Sequence, residues 1–434
     1  MCKRMRTVND RVYGEIPVSD VASRLLSNRW LVRLDHIRQL GVCSFVYPSA
    51  THTRREHSLG VYHLAGIVAT HIRSLLPLVT EEDVELVRIA GLLHDVGHGP
   101  LSHMYESLWR ERGVEWCHEK QTVRILADEL MSELYGARTW THGAEENLSF
   151  LTSLFSGSVS TTTGRDPRVI HALVDVVHSH AGVDADRMDY LLRDTLCVFG
   201  STHTVDAMRI VHSIRLSPEN GHISFDQKVA LSIQQLFELR TRLHKQVYQH
   251  REVLVVETIL KTYIRDKAPC TSLDDFCALT DARILEDVPM CRLHAYPRMH
   301  RVPLDLVVPT FPLCSCGHEF LISSNFCPMC GASERDSHPP PLDLTSITAT
   351  EHVRCNTGLA DVHVLISDVT YGSLRDVPFH DAQGRSVGVS DDGERPLRYH
   401  LRKVYCFADT VNHPEDEEVG ARVVDALRAY WRRC

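Results

Sequence analysis

Apolar positions spaced three and four apart dominate the chain from Val18 to about Lys267. Between Glu56 and Leu76, the residues His57, Val61, Leu64, Val68, Ile72 and Leu75 make one stripe, which predicts an amphipathic helix with that face inward. Thr80, followed by Glu81, Glu82 and Asp83, predicts the start of a second helix, because a hydroxyl caps free N–H groups and acids suit the positive end of the dipole. Its apolar face reads Val84, Val87, Gly91 and His94, and the pattern predicts an end near Gly97, before Pro100. A third helix is predicted from Pro167 to about His180, and a fourth from Asp184 past Arg193. Gln227 to Ile264 predicts one or two long helices with Leu236, Leu239, Leu243 and Val247 on one side.

The pattern changes after Ala268. Thr271 to Glu286 predicts a short helical pair, Pro297 to Pro312 an irregular stretch, and Ser337 to Pro341 a linker. Val362–Val369 and His400–Phe407 are β-branched runs that predict strands, and Glu415–Trp431 a closing helix. The expected fold is mainly α: a helical core over residues 1–268, a connector over 269–310, a cysteine-bearing insert over 311–336 and a small α+β C-terminal lobe over 337–434.

Composition narrows the class. The 434 residues carry a formal charge of −9, which gives no global attraction to nucleic acid and leaves such binding unsupported. No apolar run approaches the roughly 18–20 residues of a membrane span, and the N-terminus lacks a secretory apolar stretch, so the expectation is no membrane and an intracellular protein, cytoplasmic or nuclear. Ten of the 14 cysteines are scattered; Cys314, Cys316, Cys327 and Cys330 fall together. Four thiolates at that spacing favour tetrahedral structural zinc in a ribbon-like insert, with His318 an alternative ligand.

The densest chemistry is Leu93-His94-Asp95-Val96-Gly97-His98-Gly99-Pro100. Adjacent His and Asp at a helix end offer an imidazole nitrogen and a carboxylate to one divalent ion, although the dipeptide alone is common. His57 lies on an apolar stripe, where a histidine is more often a hydrogen-bonded core residue than a ligand. Asp186 follows Asp184, the predicted cap of its helix, and shares a face with Tyr190 and Arg193. Buried acids and histidines are costly in a helical bundle unless paired, and one ion bound by His57, His94, Asp95 and Asp186 satisfies all four.

The order His57, His94-Asp95, Asp186 resembles the signature of the HD-domain metal-dependent phosphohydrolases. The blocks Thr53–Val61, Ala90–His103 and Tyr248-Gln249-His250 narrow the resemblance to the deoxynucleoside triphosphate triphosphohydrolases, closest to the branch that carries SAM and HD domains, here without the SAM domain. Matching blocks run from about Val8 to Ile264 and, more weakly, from Ile366 to Phe407. The resemblance implies an HD-domain helical bundle and a divalent metal (magnesium, manganese, iron or zinc). It also implies cleavage of a dNTP at the α-phosphate to deoxynucleoside and inorganic triphosphate.

Residue by residue, the resemblance implies that Arg54 contacts phosphate and that His98 and His118 face the α-phosphate. His103, with Glu106 behind it, transfers the proton. Arg187, Arg240, His244 and Tyr248 hold triphosphate and sugar; Gln39 of the Gln39-Leu40-Gly41 triplet and Asp194 bind the 3′-hydroxyl; Tyr190 excludes a 2′-hydroxyl. A homo-oligomer, dimer or tetramer, is also implied. Ser27, Val32 and Asp35 stand where relatives bind a guanine nucleotide, so that activator site is altered or lost, whereas Asn9 and Arg209 match a second nucleotide effector site. Two alternatives stay open: an HD phosphohydrolase for a nucleoside monophosphate or cyclic nucleotide, and a nucleic-acid-binding regulator with a vestigial site.

Overall fold

A computed structural model describes residues 6–179, 181–200, 205–264, 272–286, 288, 377–381, 383, 385–387 and 425–426, together with the backbone of strands at 301–308, 362–370 and 400–408. The cysteine insert, the linker at 337–341 and nearly all of the predicted closing helix lie outside the described residues.

The described chain is mainly helical, as the periodicity predicts. It opens with an antiparallel hairpin, β1 (Arg6–Asp10) and β2 (Gly14–Val18), in which Asn9 faces Glu15. Short helices α1 (Asp20–Leu25) and α2 (Arg29–Arg33) follow, capped by Ser19 and Asn28. The first long helix, α3 (Arg54–Leu75), is capped by the Thr53 side chain, which accepts from Glu56 N. It buries His57, Val61, Leu64, Val68 and Ile72; the last predicted stripe residue, Leu75, is exposed instead, because the packed face ends one turn earlier. In α4 (Glu81–Leu93), Thr80 and Asp83 form a reciprocal capping box. Leu86, Val87, Ile89, Ala90, Leu92 and Leu93 are all buried, so this helix is enclosed on more than the one face expected. It stops at Leu93, short of Gly97, and His94 leads the chain into a tight turn.

Four helices then cover residues that the apolar pattern left unassigned: α5 (His103–Glu111), α6 (His118–Ile125), α7 (Met131–Ala137) and α8 (Ala144–Ser156). The predicted third and fourth helices are α9 (Pro167–Val177) and α10 (Ala185–Phe199), with Asp184 capping α10 through Arg187 N. After α11 (Ala207–His212), strands β3 (Ile214–Leu216) and β4 (Ile223–Asp226) form an antiparallel pair. The Gln227–Ile264 region is two helices, α12 (Ala230–Leu243) and α13 (Arg251–Ile264), separated by a π-helical turn at His244–Tyr248. The expected short pair is α14 (Leu273–Ala278) and α15 (Asp281–Leu285).

Two compact units result, one of residues 1–248, 257–288 and 372–397, the other of 249–256, 289–371 and 398–434. In the second, β5 (Arg301–Val308), β6 (Val362–Thr370) and β9 (His400–Ala408) form an antiparallel sheet with β9 central, Val364 opposite Cys406. The prolines at 297–312 suggested irregular chain there, yet β5 is a strand at the edge of its sheet, where proline at 303 is tolerated. β7 (Phe379–His380) pairs in parallel with β4 and antiparallel with β8 (Ser386–Val387), so this stretch of the expected C-terminal lobe belongs to the first unit. No helix among the described residues is long and apolar enough to cross a membrane.

Candidate active site

α3, the end of α4 and the start of α10 converge to bring His57, His94, Asp95 and Asp186 together. His57 Nε2 lies 2.9 Å from Asp186 Oδ1, 3.2 Å from His94 Nε2 and 3.8 Å from Asp95 Oδ2. His94 Nε2 lies 3.3 Å from Asp95 Oδ1 and 3.6 Å from Asp186 Oδ1. His57, His94 and Asp186 offer ligand atoms within 4.8 Å of one another, and Asp95, paired with Arg54, stands beside the two imidazoles.

The far side of each ring shows what this cluster is built to hold. His94 Nδ1 donates to Gly91 O at 2.8 Å, and His57 Nδ1 donates to Asp189 Oδ2 at 2.7 Å. Both rings therefore present Nε2 to the centre, and two lone pairs 3.2 Å apart repel each other unless positive charge sits between them and the acids. The residues present fit a divalent cation. Burial opposes a proton on His57, but hydrogen bonds to Asp186 and Asp189 outweigh it and lift its pKa to about 10, so proton and cation compete for the same nitrogen. Burial also pushes the Asp95 carboxyl up, yet Arg54, His94 and His98 hold it well below its ordinary value.

Behind His57 stands Asp189, which carries no sequence signal of its own. Arg193 grips it with a two-pronged ion pair, Nε to Oδ2 at 2.9 Å and Nη2 to Oδ1 at 3.0 Å, and its remaining nitrogen reaches Asp10 Oδ2 at 2.8 Å. Asp189 and Arg193 are completely buried. Room for this pair comes from Gly60 on α3: a Cβ there would lie 1.8 Å from Asp189 Oδ1 and 2.4 Å from Arg193 Nη2. Arg193 thus faces away from the cleft, toward the hairpin.

A cavity opens beside the cluster, lined by Gln39, Arg54, His98, His103, His118, Glu119, Tyr190 and the four ligand candidates, with Phe155, Val177 and His178 on the α8–α9 side. Those last three carry no sequence signal: nothing local marks Phe155 or Val177 as cleft rather than core, and His178 falls in no motif. Arg54 Nη1 pairs with Asp95 and Nε donates to Ser102 Oγ at 2.8 Å. Gln39 Oε1 is buried without a hydrogen-bond partner, an orphaned acceptor at the cavity wall. Leu40 follows it at the start of a 3₁₀ turn, Gly41–Phe45.

Three histidines crowd the cavity's other wall. His98 stacks on His118 with centroids 3.8 Å apart, and His103 meets both edge-on. Desolvation among the cleft walls, then Arg54 and His118, lowers His98 well below its ordinary value and His103 to about 4, although His103 is open to solvent where His98 is buried. The Glu106 carboxylate accepts from His118 Nδ1 at 2.9 Å; it stands behind His118 rather than behind His103. A strained backbone sets the placement of His103: Leu101 and Ser102 have φ of 58° and 59°, rarely adopted by side-chain-bearing residues. The kink is pinned by Asp281 on α15, which accepts from Leu101 N at 2.7 Å and from Arg38 N at 2.9 Å.

Other expected residues are distributed more widely. Tyr190 lines the cavity and its hydroxyl accepts from Arg240 Nε at 3.3 Å. His244 meets Tyr248 edge-on; burial, then Arg240 and His103, lower its pKa to about 3. Asp194 is buried and held by His52 Nε2 at 2.7 Å and the Tyr248 hydroxyl at 2.5 Å. Arg187 folds back to Ser179 O and Asp184 and is not in the cavity lining. Arg209 lines a separate open pocket with His212, Arg215 and Lys228; Asn9 is not part of that lining. Val32 is exposed, and Asp35 pairs with Arg55.

The HD domain family matches residues 54–194, the segment that contributes all four ligand candidates. That segment is similar to an HD domain. The chain is similar to the deoxynucleoside triphosphate triphosphohydrolase SAMHD1 of Gallus gallus (31% identical over 283 residues, 61% of this chain and 46% of that protein). The Dictyostelium discoideum homologue is 31% identical over 297 residues, 66% of this chain and 52% of that protein, and the Homo sapiens protein 29% over 296 residues, 64% and 46%. The chain spans about half the length of these relatives.

Proposed function

We propose that the cleft is the active site of a metal-dependent dNTP triphosphohydrolase. What carries this reading is the convergence on one cavity of His57, His94, Asp95 and Asp186 with a buried arginine, Arg54, and a neutral histidine, His103. Similarity to proteins named for that activity supports it. His57, His94, Asp95 and Asp186 would hold the divalent ion, which when bound supplies Lewis acidity toward phosphate oxygens and water.

This chain's own residues then divide the work. A triphosphate brings roughly four negative charges into the cavity, and Arg54, already paired with Asp95, offers the nearest cationic contact. That charge would raise the low pKa of His103, letting it take a proton and deliver it to the departing 5′-oxygen. His118, backed by Glu106, and His98 order the same wall. Gln39, with its unpartnered acceptor, would meet the sugar, and Tyr190 would pack where a 2′-hydroxyl projects. A nucleotide effector at Asn9 or Arg209 and a homo-oligomer are part of the same proposal, as is structural zinc on Cys314, Cys316, Cys327 and Cys330.

Purified protein incubated with each dNTP, and with ATP, in Mn²⁺ or Mg²⁺ tests the reading. One deoxynucleoside per inorganic triphosphate is expected, with dATP turned over far faster than ATP. Pyrophosphate or orthophosphate as the first product would reject the α-phosphate cleavage, and equal turnover of dATP and ATP would reject the role of Tyr190.

A further inference from the structure

A thiol that the proposed hydrolysis does not use stands next to two residues of the cleft lining, His118 and Glu119. Cys117 precedes the first residue of α6, His118, and its thiol donates to Glu119 Oε2 at 3.2 Å. Glu106 on α5, Cys117 and His118 each present one metal-ligating atom, all within 4.8 Å of one another, and the side chains of Glu106 and His118 are 12% and 18% exposed, within reach of a solvated ion. The His118 ring is fixed by its stack on His98, and burial does not stop the Glu106 carboxyl from being held below its ordinary value by its bond to His118.

Carboxylate, imidazole and thiol differ in kind from the His/Asp cluster nearby. A set of imidazoles and carboxylates accepts hard ions such as manganese as well as zinc, whereas three protein ligands that include a thiolate favour a borderline-soft, tetrahedral ion with one position left for water. We propose that Glu106, Cys117 and His118 form a second metal site, selective for zinc-class cations, whose occupation inhibits the enzyme. Binding releases the Cys117 proton to solvent, breaks the hydrogen bond between His118 and Glu106, and engages both groups so that neither supports the cleft. The inhibitory part rests on the reading of the cleft as a hydrolase; the metal site does not.

The test uses the full chain and its Cys117→Ser variant, with Zn²⁺ as the probe. Zinc per chain is measured after equilibration and removal of free ion, and zinc inhibition is followed in Mn²⁺-supported dATP hydrolysis. The variant is expected to hold one zinc fewer, to keep its basal turnover, and to need at least about tenfold more zinc for half-inhibition. Co²⁺ in place of Zn²⁺ should give a thiolate absorption in the wild type that is reduced in the variant. Equal metal content and equal Co²⁺ spectra in the two proteins would overturn the site. Equal zinc sensitivity with unequal metal content would overturn only the inhibition. Absent dATP turnover in both would reject the hydrolase reading, and metal content alone would then decide whether the site exists.

Discussion

His57 presents Nε2 to the ligand cluster because Asp189 takes its Nδ1–H, and Asp189 stays anionic because Arg193 grips both its oxygens. Burial pushes the Asp189 carboxyl up, but Arg193 and His57 outweigh it and bring its pKa to about 2. Outer carboxylates of this kind fix the tautomer of a ligating histidine, and their loss costs roughly 10–100-fold in metal affinity. Asp189→Asn should therefore weaken Mn²⁺ binding by about that factor in equilibrium dialysis, with the α3 and α10 helices still formed by circular dichroism. Unchanged Mn²⁺ affinity would show that Asp189 is a packing partner only. The four inner ligand candidates were legible in sequence because His57, His94-Asp95 and Asp186 fall in a recognisable order. Asp189 and Arg193 were not, since an acid and a base four residues apart on a helix read as an exposed pair, and only the packing of Gly60 against them reveals a buried one.

Elements place the cleft histidines through two close approaches. A Cβ on Gly97 would lie 2.1 Å from His118 O, so the turn after the His-Asp dipeptide touches the first residue of α6 directly. Gly97→Ala should destabilise the fold by about 1–3 kcal/mol, read by denaturant unfolding, and lower turnover more than substrate binding because His118 and Glu106 shift together. Wild-type stability and kinetics would mean that α6 is not held by this contact. Asp281 does the same for the Leu101-Ser102 kink. α3, α4, α9 and α10 were readable from their periodicity and caps. α6 was not: of its eight residues only Thr122 and Ile125 are buried, too few to mark a stripe. The N-terminal hairpin was missed for a similar reason, as β1 and β2 bury only Ile16 and Val18.

The whole first unit pays a pH-dependent cost for keeping its cleft histidines neutral. In the unfolded chain a histidine titrates near 6.5, whereas His103 and His244 are pushed to about 4 and about 3 in the fold. Between those limits the unfolded chain binds more protons, so stability is lost as pH falls below about 6.5. His52 behaves oppositely: burial would lower its pKa, but Asp194 and Cys197 lift it to about 9, so its contribution is full below about 6.5 and is lost as pH rises through 9. Metal-free Tm should fall on both sides of neutrality, and His244→Gln should flatten the acid limb below pH 6.5, with His103→Gln adding less because His103 is open to solvent; an unchanged acid limb would contradict the assignment. The central claim is that the four inner ligands hold the ion on which hydrolysis depends. Its most direct test is parallel measurement of Mn²⁺ binding, dATP turnover and Tm in wild type, Asp186→Ala and His94→Ala/Asp95→Ala. Loss of Mn²⁺ binding and of turnover with a cooperative unfolding transition retained is the predicted result. Full turnover by either variant in Mn²⁺-supplemented buffer would contradict it.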